Sequence, residues 1–332
     1  MFADAESGPT PLTLLRAPAG YGKTTTVVQW LNRPEMAHFE QIWLRCSKIE
    51  EDTERFWTLL AEALGRSDTC RELVASAREW GLTEREVVER AVEQLDAPTM
   101  IVVDDYQLAT SPRLDLALVE LLELSDNLFL SVLSRRTDCL DGPLFASLIP
   151  TTYIGVEQLA FTSDEVREFA ALHGVDPDSV PGSITKLTGG WASALSALIR
   201  GLQEGQSRPQ LQAMQGRFVR QQLDMVTELE ARNVLAHIHL CELIDLPTLD
   251  FALERPDGQV LDAIAALEER GLVQQEWFPS GIRYRVNPLL EPSIEQLGLP
   301  RLDSEELVEV RRRHAMGLAG DDPDTALVHL LQ

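Results

Sequence analysis

Short apolar runs separated by helical periodicities organise the first half of the chain. Residues 12–15, 41–46, 100–103 and 128–133 are runs of the kind that fill a parallel sheet covered on both faces, and 151–155 adds a short last one. Between them, apolar residues recur at helical spacing. Residues 26–31 form one such stretch, and Phe56, Leu59, Leu60, Ala63 and Leu64 mark a second. Residues 68–95 read as two surface helices, with Thr83 and Glu86 spaced as a capping box. Leu114, Leu118, Leu121 and Leu122 mark a further helix over 111–124. Strand alternating with helix through residue 155 predicts an α/β domain, a parallel sheet with helices on both faces.

From Leu159 the pattern changes, and no β-like run of that length recurs until after Leu272. Thr162-Ser163-Asp164-Glu165 opens a capped helix that continues through Val166, Phe169 and Leu172. A second helix is expected over 178–187, and a third starts at Thr188-Gly189-Gly190-Trp191 and carries Leu195, Leu198 and Leu202. The two glycines read as a helix stop and a point of close approach. A polar break at 205–209 precedes more helix over 210–244. A short helix at 249–253, a longer one at 260–270 and a hairpin of 272–277 with 282–286 then follow the order of a winged helix. The tail, 303–332, reads as two helices opening a repeat array that is cut short. The predicted division is 1–155 as an α/β domain, 156–206 all-α, 207–300 winged helix, and 301–332 the start of a truncated helical-repeat arm.

The candidate chemistry lies where the first strand meets the first helix, in Ala17-Pro18-Ala19-Gly20-Tyr21-Gly22-Lys23-Thr24-Thr25. A glycine-bearing turn there lets backbone N–H groups wrap a polyphosphate, and the helix N-terminus aims its partial positive charge at the same anion. Lys23 is placed for the β/γ-phosphates and the Thr24 hydroxyl for Mg²⁺. Ala17 stands where G-x-x-x-x-G-K-[ST] has its first glycine, which requires ordinary backbone angles there. Met100 to Val103 end in Asp104 and Asp105 at the carboxyl edge of a buried strand, the pattern of a Walker B strand. Asp104 would hold the Mg²⁺ shell through water, and Asp105 is placed to orient or deprotonate the attacking water. Arg135, at the end of the following strand, is nearer the edge than Arg136 and is the candidate reporter of the γ-phosphate.

Composition narrows the partners. Over 332 residues the formal net charge is −24, a surface that repels nucleic-acid phosphates and anionic lipid, so direct nucleic-acid contact by this stretch is not expected. The winged-helix stretch itself carries more carboxylates than arginines, the opposite of a major-groove reader. Lys23 is one of only three lysines, with Lys48 and Lys186, so it is not drawn from a lysine-rich loop. Cys46, Cys70, Cys139 and Cys241 are scattered without a C-x-x-C pair and read as reduced, buried residues. His237 and His239 point to different helix faces, which favours core or surface histidine over a metal site. The start of the chain lacks a basic segment followed by an apolar one, so the expected location is cytoplasmic.

Together the segments resemble one family over nearly the whole chain: the large ATP-binding regulators of the LuxR type, among the signal-transduction ATPases with numerous domains. The matching stretches are the loop at 17–25, Gln29-Trp30-Leu31, Val103-Asp104-Asp105-Tyr106, Ser134-Arg135, Leu159-Ala160-Phe161-Thr162 with Glu165, Gly190-Trp191 and Tyr284-Arg285. In that family the first loop glycine is normally alanine, as at Ala17. The resemblance implies a nucleotide domain, a helical lid and a winged helix, followed by a repeat sensor arm and a DNA-binding helix-turn-helix that lie beyond this stretch. It implies ATP or ADP with Mg²⁺ as ligands, an ADP-bound resting form, self-association in the ATP state, an inducer, and slow hydrolysis as reset. It assigns Ala17, Gly20, Tyr21, Gly22, Lys23, Thr24, Thr25, Gly190 and Asn287 to the nucleotide, Thr24 and Asp104 to Mg²⁺, and Asp105, Lys23 and Arg135 to hydrolysis. Asn287 stands where the family usually has a phosphate-contacting histidine, and asparagine can donate a hydrogen bond without carrying charge. The alternative function is a nucleotide-binding interaction scaffold without turnover. A P-loop kinase ranks last, because no second basic cluster near the loop would hold an acceptor phosphate.

Overall fold

A computed structural model describes residues 9–46, 53–135, 140, 148–182, 184–206, 229–241, 243–255, 259–278, 281–287 and six positions between 308 and 316. The chain divides into two compact units, one made of residues up to Ala17 and Tyr21–Leu159, the other of Pro18–Gly20 with the chain from Ala160 onward.

The first unit holds a five-stranded sheet: β1 (Leu12–Arg16), β2 (Glu40–Arg45), β3 (Thr99–Asp104), β4 (Leu128–Ser134) and β5 (Thr151–Ile154). The order is β2-β3-β4-β1-β5 and every pairing is parallel. Because β3, β4 and β1 are central, the apolar residues along them are nearly all fully buried, as the continuous runs predicted. The strand at the β2 edge departs from that expectation. It alternates, with Ile42 and Leu44 inside and Trp43 38% exposed, because an edge strand has one neighbour and packs one face.

Among the described residues five helices accompany this sheet: α1 (Lys23–Leu31), α2 (Thr53–Arg66), α3 (Arg71–Glu79), α4 (Glu84–Glu93) and α5 (Pro112–Leu122), with a single turn, α6 (Val156–Leu159), at the unit's end. The capping box at Thr83 and Glu86 is present in both directions, an arrangement that stabilises a helix start by about 1 kcal/mol. The surface helix α4 is amphipathic: Val87, Val88, Ala91 and Val92, spaced one, four and five positions apart, are fully buried on one face and join α2 and the sheet in one core, while Glu86, Arg90 and Glu93 are exposed.

In the second unit α7 (Ser163–Leu172), α8 (Ile184–Thr188) and α9 (Ala192–Gln203) bury Val166, Ala170, Ile184, Leu195 and Leu198 together. Thr162 and Glu165 form the expected capping box. The helix runs through Leu172 as expected, with that side chain 83% exposed at its last turn. The single helix expected over 178–187 is interrupted. A 3-10 turn at Pro177–Ser179 ends with Val180 extended before Pro181, whose ring disfavours helical geometry in the residue before it.

A second core in this unit comes from α10 (Leu229–Cys241), α11 (Leu246–Leu253), α12 (Gln259–Glu269) and a three-stranded antiparallel sheet ordered β6-β8-β7. The strands are β6 (Ile244–Asp245), β7 (Val273–Phe278) and β8 (Gly281–Val286). Two-residue β6 is too short for a periodic signal and was not expected. The acidic turn at 50–52, Cys139, the helix over 210–228, the hairpin turn at 279–280 and nearly all of the 303–332 tail lie outside the described residues. Cys46, Cys70 and Cys241 are free and buried.

His237 lies inside α10 with its Nδ1 2.8 Å from the Asn233 carbonyl oxygen. Burial lowers its pKa below the ordinary 6.5, outweighing the opposing hydrogen bond. The unfolded chain therefore takes up this proton first as pH falls, and stability contributed by the neutral ring is lost on acidification through 6.5 and below. Denaturant unfolding at about pH 7 and about pH 5.5 should show stability falling with acid, and a smaller fall in His237→Gln.

Candidate functional site

Parallel pairing sends the carboxyl ends of β1, β2, β3 and β4 to one edge. Register does the rest: Arg45 faces Asp104 across β2 and β3, and Arg16 faces Ser134 across β1 and β4. Residues 17, 21–25, 45, 104–107 and 135, distant in sequence, thus meet at the sheet position where α/β proteins bind ligands.

Leaving β1, Ala17 donates its N–H to the Ser134 carbonyl oxygen at 3.3 Å and is 1% exposed. Its φ is not positive, since Asp105 and Glu254 are the non-glycine residues with positive φ among those described. Gly20 and Gly22 supply the left-handed residues of the turn, at φ 81° and 82°. Gly22 is the N-cap of α1, so the helix's first N–H groups open toward the turn. Tyr21 is buried, whereas Thr24 and Thr25 are exposed on the first turn of α1.

Lys23 is 9% exposed, and its Nζ donates to the Ala17 carbonyl oxygen, closing the loop on itself. Burial first, and then the nearby Arg135, pull its pKa down to about 8 against the attraction of Asp104 and Asp105. An ammonium so poorly solvated gains strongly from an incoming anion.

Thr24 Oγ1 donates to Asp104 Oδ2 at 3.1 Å, and the Asp104 Oδ1 accepts the Asp105 backbone N–H at 2.9 Å. A hydroxyl beside a carboxylate is the oxygen donor pair a hard divalent cation such as Mg²⁺ uses, with water completing its shell. Among the described residues there is no cluster of three or more His, Cys, Asp or Glu that could hold a metal by protein ligands alone.

Asp105 adopts left-handed angles, φ 54° and ψ 39°, which aspartate tolerates better than most residues. That kink turns its carboxylate to the arginines. Oδ1 accepts from Gln107 Nε2 at 3.1 Å and Arg135 Nη2 at 3.0 Å, while Oδ2 accepts from Arg45 Nε at 3.1 Å and Nη2 at 3.0 Å. Burial alone would raise the Asp105 pKa. The Gln107 hydrogen bond and the two guanidinium groups outweigh it and hold the carboxyl below its usual range. Gln107 also fixes Arg135, whose backbone N–H it accepts at 3.1 Å. Next in the chain, fully buried Tyr106 donates its hydroxyl to Asp115, which also accepts from Thr110 at 3.0 Å, anchoring the turn after β3 to α5.

Inside the second unit, the residues Pro18–Gly20 are gripped by α9 and the turn before it. Trp191 Nε1 donates to the Ala19 carbonyl oxygen at 2.9 Å, and Ser193 donates its N–H to the Gly20 carbonyl oxygen at 3.0 Å and its hydroxyl to the same oxygen at 3.2 Å. A β-carbon at position 20 would stand 2.3 Å from Ser193 Oγ, so glycine is required there by space as well as by angle. Gly190, at φ 72°, packs against the Phe161 backbone: a β-carbon would lie 2.7 Å from Phe161 N. Asn287 is 1% exposed, and its Nδ2 donates to the Gly271 carbonyl oxygen at 2.9 Å. Its side-chain amide thus braces the turn between α12 and β7.

Lys23, Thr24, Asp104, Asp105 and Arg135 come together as the sequence suggested. Arg45, Gln107 and Ser193 were missed, and Trp191 was named with Gly190 but not for the hydrogen bond of its indole. Arg45 stands at the end of a strand next to the Asp104 strand, a signal that needs the sheet order to be read; Gln107, Trp191 and Ser193 act through contacts with no periodicity.

No protein-family model matches the chain. Among curated proteins, it is 26% identical to the HTH-type transcriptional regulator MalT of Klebsiella pneumoniae over 96% of its length and 37% of the relative's. It is 27% identical to MalT of Cronobacter sakazakii and of Serratia proteamaculans, each over the same 96% and 37%. The chain thus spans well under half the length of the curated relatives it matches. Among solved structures, an ATPase of the STAND class with a tetratricopeptide repeat sensor from Pyrococcus horikoshii aligns over 97% of this chain and 45% of its own, at 18% identity and TM-score 0.42. The Aeropyrum pernix ORC1 protein in complex with DNA aligns over 88% of both chains, at 17% identity and TM-score 0.46. Among the described residues no helix is long and apolar enough to cross a membrane. Over nearly its whole length, then, the chain is similar to regulators named MalT.

Proposed function

We propose that the chain is the ATP- and ADP-binding switch module of a signal-responsive transcription activator, with slow Mg²⁺-dependent hydrolysis and self-association in the ATP state. The observation that carries this reading is the pairing of buried Lys23, closed onto Ala17, with Thr24 joined to Asp104 at 3.1 Å beside it. Those residues fit a magnesium nucleotide: Lys23 and the α1 N-terminus supply the positive end, and Thr24 with Asp104 supply the oxygens for the cation. When bound, the metal would neutralise phosphate charge. The protein's own part is to position, exclude water and hold Asp105 and Arg135 at the sheet edge.

Within this reading residues 1–155 form the nucleotide domain, 156–206 the lid, 207–300 a winged helix and 301–332 the start of a repeat arm. The order α10, β6, α11, α12, β7, β8 supports the winged-helix assignment. Likeness to regulators named MalT supports the placement in transcription control. In this scheme Gly190 and Asn287 serve the nucleotide by bracing Phe161 and Gly271.

A second reading, a nucleotide-binding scaffold without turnover, is favoured by one observation: both Asp105 oxygens already accept two donors each. Such a carboxylate has no lone pair left for water.

Two measurements test these readings. ATP with Mg²⁺ should raise the thermal unfolding temperature of the purified chain, and Lys23→Ala should abolish the rise; an equal rise in the variant would falsify the site. In single-turnover hydrolysis, Asp105→Asn should lower the rate by about 10²-fold or more, the scale of a lost positioning or base group. No measurable rate in the wild-type chain selects the scaffold.

A further inference from the structure

The geometry points to Arg45 as a positioning residue for the nucleotide switch: it is the standing counter-ion that lets Arg135 leave Asp105 for the γ-phosphate. This rests on the nucleotide reading above and assigns a role to a residue outside every motif that supports it.

The case is one of charge accounting within a single cluster. Asp105 is a carboxylate with 11% of its side chain exposed, and Asp104 lies next to it in the chain. Two guanidinium groups answer it from opposite sides, Arg135 on Oδ1 and Arg45 on Oδ2, each at 3.0 Å. Gln107 completes Oδ1 at 3.1 Å and is neutral. If Arg135 swings to a phosphate, Asp105 keeps a cation only because Arg45 remains. Without Arg45, the same movement strands an ionised, largely buried carboxylate beside another carboxylate and an arriving polyanion, a placement that is strongly unfavourable.

Arg45 is well suited to stay behind. Its side chain is 76% exposed, so it keeps most of its hydration while touching Asp105 through both Nε and Nη2. It stems from the end of β2, whose register places it across from Asp104. Arg135, by contrast, sits at the end of β4 with its backbone N–H tied to Gln107. Its backbone is thereby fixed while its guanidinium is held by a single contact atom, Nη2, to Asp105. One arginine is a bidentate anchor, and the other is a one-point contact beside the loop that would present the γ-phosphate.

The consequence is specific to the γ-phosphate. ADP does not call on Arg135 to move, so loss of Arg45 changes ADP affinity much less than ATP affinity. Arg45 is itself 76% exposed, and without nucleotide Asp105 keeps its pairing with Arg135, so loss of Arg45 costs little folding stability, which separates this role from a structural one.

The experiment measures equilibrium dissociation constants of ADP and of a non-hydrolysable ATP analogue, both with Mg²⁺, by calorimetry on the whole chain. In Arg45→Gln the affinity ratio of analogue to ADP should fall by about tenfold or more. Arg45→Lys, which keeps the charge, should hold the ratio near the wild-type value. Adding Asp105→Asn to Arg45→Gln should restore the ratio, because a neutral amide needs no counter-ion. Restoration is an outcome a packing role would not produce. An unchanged ratio in Arg45→Gln, or a lowered ratio that Asp105→Asn leaves lowered, overturns the proposal while leaving the nucleotide reading intact. A wild-type chain that binds neither nucleotide overturns both.

Discussion

Parallel strand pairing is the constraint on which the rest depends. Because β1 to β4 all run the same way, their carboxyl ends share one edge, and a backbone turn, two carboxylates and two arginines from separate parts of the chain arrive within hydrogen-bond distance. An antiparallel partner anywhere among these strands would send one of those groups to the opposite edge. The register matters as much as the direction. Arg45 reaches Asp105 because β2 and β3 pair with Arg45 beside Asp104; a shift of one residue would also reverse the faces of Ile42 and Leu44 and expose the core.

At that edge, backbone geometry and charge decide different things. The loop conformation is set by space: ordinary angles at Ala17, left-handed angles at Gly20 and Gly22, and no room for a β-carbon at position 20. Three donors from Trp191 and Ser193 occupy the Ala19 and Gly20 carbonyl oxygens. Charge sets the neighbouring cluster, where Lys23 is held short of solvation and Asp105 is held ionised by two guanidinium groups.

Much of this was legible in the sequence, for identifiable reasons. Central strands announce themselves as unbroken apolar runs, and capping boxes such as Thr83 with Glu86 and Thr162 with Glu165 are local, so both were readable from neighbours alone. Lys23, Thr24, Asp104 and Arg135 follow because they sit at strand-to-turn junctions of a recognisable order. What failed depended on sheet position or side-chain contact. The edge position of β2 halved the burial implied by its apolar content, and Pro181 cut a helix that periodicity had drawn through it. Arg45 escaped notice because its importance comes from a neighbouring strand nearly sixty positions later.

The central claim is that residues 17–25 with Asp104 form a magnesium-nucleotide site, and the most direct measurement is the Mg²⁺ dependence of ATP binding. Calorimetric titration of ATP into the purified chain should show one site per chain. Affinity should fall by about tenfold or more when Mg²⁺ is replaced by a chelator, and the same loss should appear in Thr24→Val with Mg²⁺ present. ATP binding that is indifferent to Mg²⁺ and to the Thr24 hydroxyl, or no binding at all, would contradict it.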